Sequence, residues 1–211
     1  PRPFFISVVV WMALNMLLWY TGGHGWGEYL GFPKGYAEAE LQIGVSRFWS
    51  PAFIWFYLWF LLSTALFAGF WGFFSDHKWQ KWSIWGSAFI LFNIWFGVQV
   101  SVAINAWYGP FWDMIQKMLS DGGGNINDLY NGTLTFLYIA MVAVTFAVIN
   151  AFFTSHYVFR WRTAMNEYYT ANWDRLRHVE GASQRIQEDT MRFATIMEDL
   201  GVELIKSVMV L

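Results

Sequence analysis

Four windows of this chain contain no Asp, Glu, Lys or Arg: Pro3–Gly27, Phe48–Ser75, Trp82–Trp112 and Leu129–Phe159. They hold 115 of the 211 residues, so all 28 charged residues crowd into the remaining 96. Each window exceeds the roughly 20 apolar residues that cross a hydrocarbon core as a helix. A helix at the surface of a water-soluble domain needs a polar stripe, and these windows supply none. The pattern predicts an all-α membrane protein, a polytopic helical bundle embedded in a lipid bilayer.

The rest of the composition agrees. Aromatic residues make up 22 % of the chain, with fifteen Trp and ten Tyr, the two residues that favour the headgroup level. The net charge of −2 implies no nucleic-acid partner. There is no cysteine, which excludes disulfides, thiolate metal sites and cysteine nucleophiles. No small-x-small cleavage site ends the first window, so it does not read as a signal peptide. Val202–Leu211 is an apolar run and reads as part of a fifth span in a longer protein.

The spans are expected at about 4–20, 52–74, 82–104 and 133–158, with a fifth from about Phe193. All belong to one transmembrane domain. Arg2, Lys78, Lys81, Arg160, Arg162, Arg175, Arg177, Arg185 and Arg192 fall on one side of this arrangement, and Lys34, Arg47 and Lys117 on the other. Nine against three places the N-terminus in the cytoplasm by the positive-inside rule. Loops 21–51 and 105–132 are then external, with turn chemistry at Gly22–Gly25 and Gly122–Asn125. No phosphate-binding Gly-x-x-x-x-Gly-Lys-Ser/Thr occurs. Asn131-Gly132-Thr133 matches a glycosylation sequon, but a pattern so short, so close to a span, reads as chance.

The segment 160–192 is a charged, proline-free cytoplasmic excursion. Arg160-Trp161-Arg162 marks the exit of span four, with two cations for headgroups and an indole for the interface. Gly181 offers a break, and Ser183 is the expected N-cap of a new helix, with Glu188 and Asp189 in its early turns. That helix runs on into the fifth span.

Ser155-His156-Tyr157-Val158-Phe159-Arg160-Trp161-Arg162-Thr163-Ala164-Met165-Asn166-Glu167-Tyr168-Tyr169 and Gln187-Glu188-Asp189-Thr190-Met191-Arg192-Phe193 closely resemble the SbmA/BacA family of bacterial inner-membrane peptide transporters. Asn105-Ala106-Trp107-Tyr108 and His77-Lys78-Trp79-Gln80 look similar too, so Arg160, Trp161, Arg162, Asp189 and Arg192 stand in family-like positions. The resemblance implies a homodimer with the membrane fold of ABC exporters and long helices reaching into the cytoplasm, but no ATPase. It also implies proton-driven import of proline-rich and other antimicrobial peptides and of bleomycin-like compounds. Peroxisomal fatty-acyl ABC transporters share part of the pattern, with an Asn-Pro-Asp before Gln-Arg. Here Gly181-Ala182-Ser183 stands instead, which weakens the case for an ATPase docking at this tip.

Acidic groups at membrane depth are costly and usually functional. The four uncharged windows offer none. Glu198, Asp199 and Glu203 approach or enter the fifth span, with Glu188 earlier on the same helix. At about 100° per residue, Glu188, Asp199 and Glu203 fall within about 60° of one another. Neighbouring carboxylates in a low dielectric disfavour one another's ionisation, so such a stack can take up and release protons, and it attracts cationic peptides. The resemblance implies a glutamate ladder for coupling, which agrees with this face. The bland alternative is helix pairing, Glu188 with Arg192 and Glu203 with Lys206. Gln99, Asn105 and Tyr108 are candidate cavity-lining residues, although interhelical hydrogen bonding is the commoner role for such amides. His24, His77, His156 and His178 sit in loops or at span ends and show no zinc-site spacing. Trp49, Trp55, Trp59, Trp107 and Trp112 read mostly as belt residues.

The expected function is import of peptides by alternating access, with no enzymatic activity and no cofactor. The rival is the membrane half of an ATP-driven transporter.

Overall fold

The computed structural model describes residues 2–40, 42–75, 77–121 and 125–210. The side chains of Asp121, Glu198, Val202, Ile205, Lys206, Val208, Met209 and Val210 lie outside that description. So does the glycine turn at 122–124. Among the described residues the secondary structure is helical, without a strand. The long helices are α1 (Arg2–Thr21), α2 (Pro51–Phe74), α3 (Gln80–Asp121), α4 (Ile126–Ala171) and α7 (Thr190–Val210). Two short ones, α5 (Trp173–Leu176) and α6 (Ala182–Gln184), lie between α4 and α7.

Four of these helices, α1 to α4, are long and apolar enough to cross a membrane. Their packing says what surrounds them. Met141, Val144, Val148 and Phe152 recur at helical spacing on α4 and are 59–74 % exposed, a stripe of large apolar side chains that water would not tolerate. Val9, Val10, Met16 and Leu17 on α1 are equally bare. The chain is an all-α polytopic membrane protein. Within the described residues α7 is not one of the four, since Arg192, Glu198, Asp199, Glu203 and Lys206 punctuate its sequence.

The chain forms two compact units, Pro1–Ile84 with Ala103–Ile139, and Trp85–Val102 with Ala140–Leu211. In the first, α1 packs on α2 through aromatic edges: Phe4 lies 5.1 Å from Trp71, and Trp19 lies 5.3 Å from Phe56. The Trp71 indole donates to Ser7 Oγ at 3.0 Å. Two 3-10 helices, Gly23–Leu30 and Val45–Trp49, occupy the connection from α1 to α2.

The segment 105–132, expected as a loop, is largely helix: α3 continues to Asp121 and α4 begins at Ile126. The ends of a charge-free window mark where apolarity stops, and a helix that leaves the hydrocarbon can continue if a partner covers it. Trp107 supplies that cover. Its ring stacks on Phe111 at 4.5 Å and meets Phe136 at 4.8 Å, and its Nε1 donates to the Gly132 carbonyl at 2.8 Å. The sequon at Asn131 accordingly sits inside α4. Pro110 lies within α3 and lacks the N–H that would meet the Ala106 carbonyl.

In the second unit α3 and α4 run antiparallel through facing rings, Phe96 on Phe146 at 3.8 Å and Phe89 against Phe153 at 4.4 Å. Ser87 Oγ and the Tyr157 hydroxyl share a hydrogen bond of 2.7 Å.

Candidate functional site

The family-like residues cluster where α4 ends and α7 begins. Arg160 and Arg162 are exposed in the later part of α4, before its end at Ala171. Trp161 between them turns inward and meets Phe193 of α7 edge-on at 5.6 Å and 71°. Ala194, beside Phe193, is fully buried. The tip between the two helices holds α5, whose Arg177–Asp174 pair at 3.9 Å is exposed and contributes little.

The new helix starts at Gly181, not at Ser183. Gly181 adopts φ +72° as the residue before α6, a left-handed conformation that glycine takes without steric cost. Ser183 therefore lies inside α6 and caps nothing. A π-helical turn, Arg185–Asp189, then joins α6 to α7, and the Thr190 hydroxyl bonds back to the Ile186 carbonyl. Such turns insert a residue into the helical phase and recur at functional positions.

Glu188 Oε1 accepts from the Gln184 amide at 3.4 Å and does not pair with Arg192. Arg192 is exposed and makes no ion pair among the described residues. Glu188, Asp189, Asp199 and Glu203 are all exposed, and the Glu203 carbonyl accepts the Ser207 hydroxyl at 2.8 Å. The side chain of Glu198 lies outside the described residues. Within α7, Arg192, Asp199 and Glu203 fall within about 40° of one another at 100° per residue, so a cation stands on the carboxylate face. Met197, Leu200 and Leu204 form an exposed apolar face beside it.

The other candidates do not assemble. Gln99 is half-buried in α3, while Asn105 and Tyr108 are exposed. Gln99 and Tyr108 are nine residues apart, which places them on opposite faces of α3 by helical geometry. His24 Nδ1 lies 3.0 Å from the Trp19 carbonyl, and His156 stacks on Phe152. No group of three or more His, Asp or Glu that could hold a metal occurs among the described residues.

In the first unit the connection from α1 to α2 is more ordered than a loop. Trp55, expected in the aromatic belt, is buried, and its Nε1 donates to the Gly23 carbonyl at 2.8 Å. The Tyr36 hydroxyl donates to the His24 carbonyl at 2.6 Å and accepts from the Gly27 N–H at 3.1 Å. Burial raises the Tyr36 pKa above the usual phenol value; the Gly27 bond opposes this and Glu28 adds to it. Glycine is required at 27, since a Cβ there would lie 2.5 Å from the Tyr36 oxygen. Beneath lies an apolar cavity of about 650 Å³, lined by residues that include Trp11, Trp26, Trp55 and Trp59. Two of its polar lining residues, Asn15 and Ser63, donate to carbonyls of their own helices.

Residues 76–211 match the SbmA/BacA-like family. The chain belongs to this family. The matched stretch includes α3, α4, the tip between α4 and α7, and α7 itself, and so contains Trp161, the π turn and all the α7 carboxylates. Membership makes the chain a membrane protein of a transporter family associated with peptide antibiotics, and not a member of an enzyme class.

Proposed function

We propose that this chain belongs to a proton-gradient-driven importer of peptides in the bacterial inner membrane. It works as a homodimer by alternating access, with the N-terminus in the cytoplasm. Its substrates are cationic, proline-rich and other antimicrobial peptides and bleomycin-like compounds. The observation that carries this reading is the π turn and the helix α7 that follows it, with Glu188 exposed on the turn and Asp199 and Glu203 exposed on the helix. Carboxylates on such a helix hold a cationic peptide while ionised and release it when protonated. α7 serves as the fifth span, with Glu198 on the same segment. Peptide, bilayer and a second copy are the expected partners, without an ATPase subunit.

The test is full-length protein in proteoliposomes without nucleotide, acidic outside, with a fluorescent Pro/Arg-rich peptide. Uptake is expected to collapse with a protonophore and to fall to that level in Glu203→Gln and Glu188→Gln. Normal uptake by both variants would remove the assigned residues. Uptake only on adding ATP and a partner subunit would replace the proton-driven reading.

A further inference from the structure

Arg47 lies in the short 3-10 helix before α2 and is only 7 % exposed. Its Nε is sealed from solvent and has no hydrogen-bond partner. Among the described residues it forms no ion pair. Its guanidinium carbon lies 5.6 Å from the centroid of the Phe53 ring. A cation–π contact offsets part of the cost of desolvation, but an unpaired buried charge remains expensive.

A second orphan lies beside it. Ser50 Oγ is buried without a partner. Residues i and i+3 of a 3-10 helix lie on one side, and the Ser50 N–H bonds to the Arg47 carbonyl at 3.1 Å, so the two residues close one turn. Ser50 is also the residue before α2, yet its hydroxyl does not cap that helix. The Ser50 carbonyl in turn accepts the Ile54 N–H at 3.0 Å, so the same residue opens α2. One turn at the start of a 24-residue helix thus carries two buried polar atoms without a partner, Arg47 Nε and Ser50 Oγ.

The depth of this cluster indicates which anion. At 1.5 Å per residue α2 is about 36 Å long, more than the roughly 30 Å of hydrocarbon in a bilayer. Its first turn therefore reaches the headgroup layer. Trp49, 71 % exposed between Arg47 and α2, is an interfacial residue by the same logic. The planar arginine fork matches phosphate.

We propose that Arg47 and Ser50 form a binding site for the phosphate group of a phospholipid at the membrane surface where α2 begins. Neither residue belongs to the carboxylate helix, so the site holds lipid whatever drives transport. The test is native mass spectrometry of the full-length protein titrated with phosphatidylglycerol, for the wild type, Arg47→Gln, Arg47→Lys and Ser50→Ala. The wild type is expected to retain one lipid that resists activation. Arg47→Gln should weaken retention about tenfold, as loss of a charged hydrogen bond does. Arg47→Lys and Ser50→Ala should fall between. Millimolar inorganic phosphate should not displace the lipid. Equal retention by wild type and Arg47→Gln overturns the site, as does displacement by inorganic phosphate. Dimer dissociation in Arg47→Gln with lipid retention unchanged would assign the guanidinium to a carboxylate of a second copy instead. If Arg47→Gln does not fold, the Lys and Ala variants decide by the same comparison.

Discussion

Substituting Gly132 by Ala sets two opposing effects against each other. Alanine favours a helix over glycine by about 1 kcal/mol, so propensity alone predicts a gain in α4. The surroundings predict a loss. A Cβ at 132 would lie 2.6 Å from Phe111 Cδ2 and 2.9 Å from its Cε2, inside any real carbon contact. The ring has little freedom to retreat, because Phe111 stacks on Trp107 at 4.5 Å and Trp107 meets Phe136 at 4.8 Å. Overpacking of this kind costs about 1–3 kcal/mol. Moving α4 outward would also stretch the Trp107-to-Gly132 bond of 2.8 Å, and an interhelical bond in a membrane is worth about 0.6 kcal/mol and at most about 1.7. The net expectation, after subtracting the propensity gain, is a loss of about 0.5–2.5 kcal/mol. Heating detergent-solubilised full-length protein and measuring the fraction that stays monodisperse reads this directly. Gly97→Ala is the control, since a Cβ there meets nothing within 4 Å, and it should be neutral or slightly stabilising. A Gly132→Ala midpoint equal to that of Gly97→Ala would refute the reasoning.

Two further substitutions test buried polar groups by the same heating assay. Trp55→Phe keeps the buried ring but strands the Gly23 carbonyl, and should destabilise by about 1–3 kcal/mol; an unchanged midpoint would mean the carbonyl is satisfied otherwise. Thr154→Val should be neutral or stabilising by about 1 kcal/mol, because the Thr154 hydroxyl is buried without a partner and its removal deletes an unmet polar demand. A lower midpoint in Thr154→Val would show that this hydroxyl is satisfied in the membrane.

The helical membrane fold was legible because it rests on a one-dimensional property, the separation of charge from apolar sequence. Where it failed, the deciding contact was tertiary. The helix through 105–121 depends on Trp107 reaching Gly132, twenty-five residues away. Ser183 had the chemistry of an N-cap, yet Gly181 alone offered the left-handed turn, and it began the helix two residues earlier. Glu188 and Arg192 had the spacing of a pair, yet Glu188 meets Gln184 instead, a choice that spacing alone does not decide. Arg47 read as a loop cation in water. Its burial against Phe53 follows from how the connection folds onto α2, which composition does not contain. On α7 the reading located the carboxylates and weighed Arg192 as the partner of Glu188; helical geometry sets Arg192 on the face of Asp199 and Glu203.

The tryptophans join these observations. An indole combines a large apolar body with a single donor, so in a bilayer it can be buried wherever one acceptor is within reach. Three indoles of the first unit find such an acceptor, Trp55 buried and the other two half-buried: Trp55 donates to the Gly23 carbonyl, Trp107 to the Gly132 carbonyl and Trp71 to Ser7 Oγ. Each bond joins elements distant in sequence, and two of the three acceptors belong to glycines. That pairing has a steric cause. A Cβ at Gly23 would lie 3.0 Å from the Trp59 ring, and one at Gly132 would strike Phe111, so only glycine lets an aromatic cluster close over the carbonyl. Small residues permit close approach of helices in membranes generally. In this chain they also expose the acceptors that fix where each indole docks. The abundance of Trp thus reflects interhelical fastening as well as the interfacial belt, and Trp49, exposed before α2, keeps the belt role that Trp55 and Trp107 have given up.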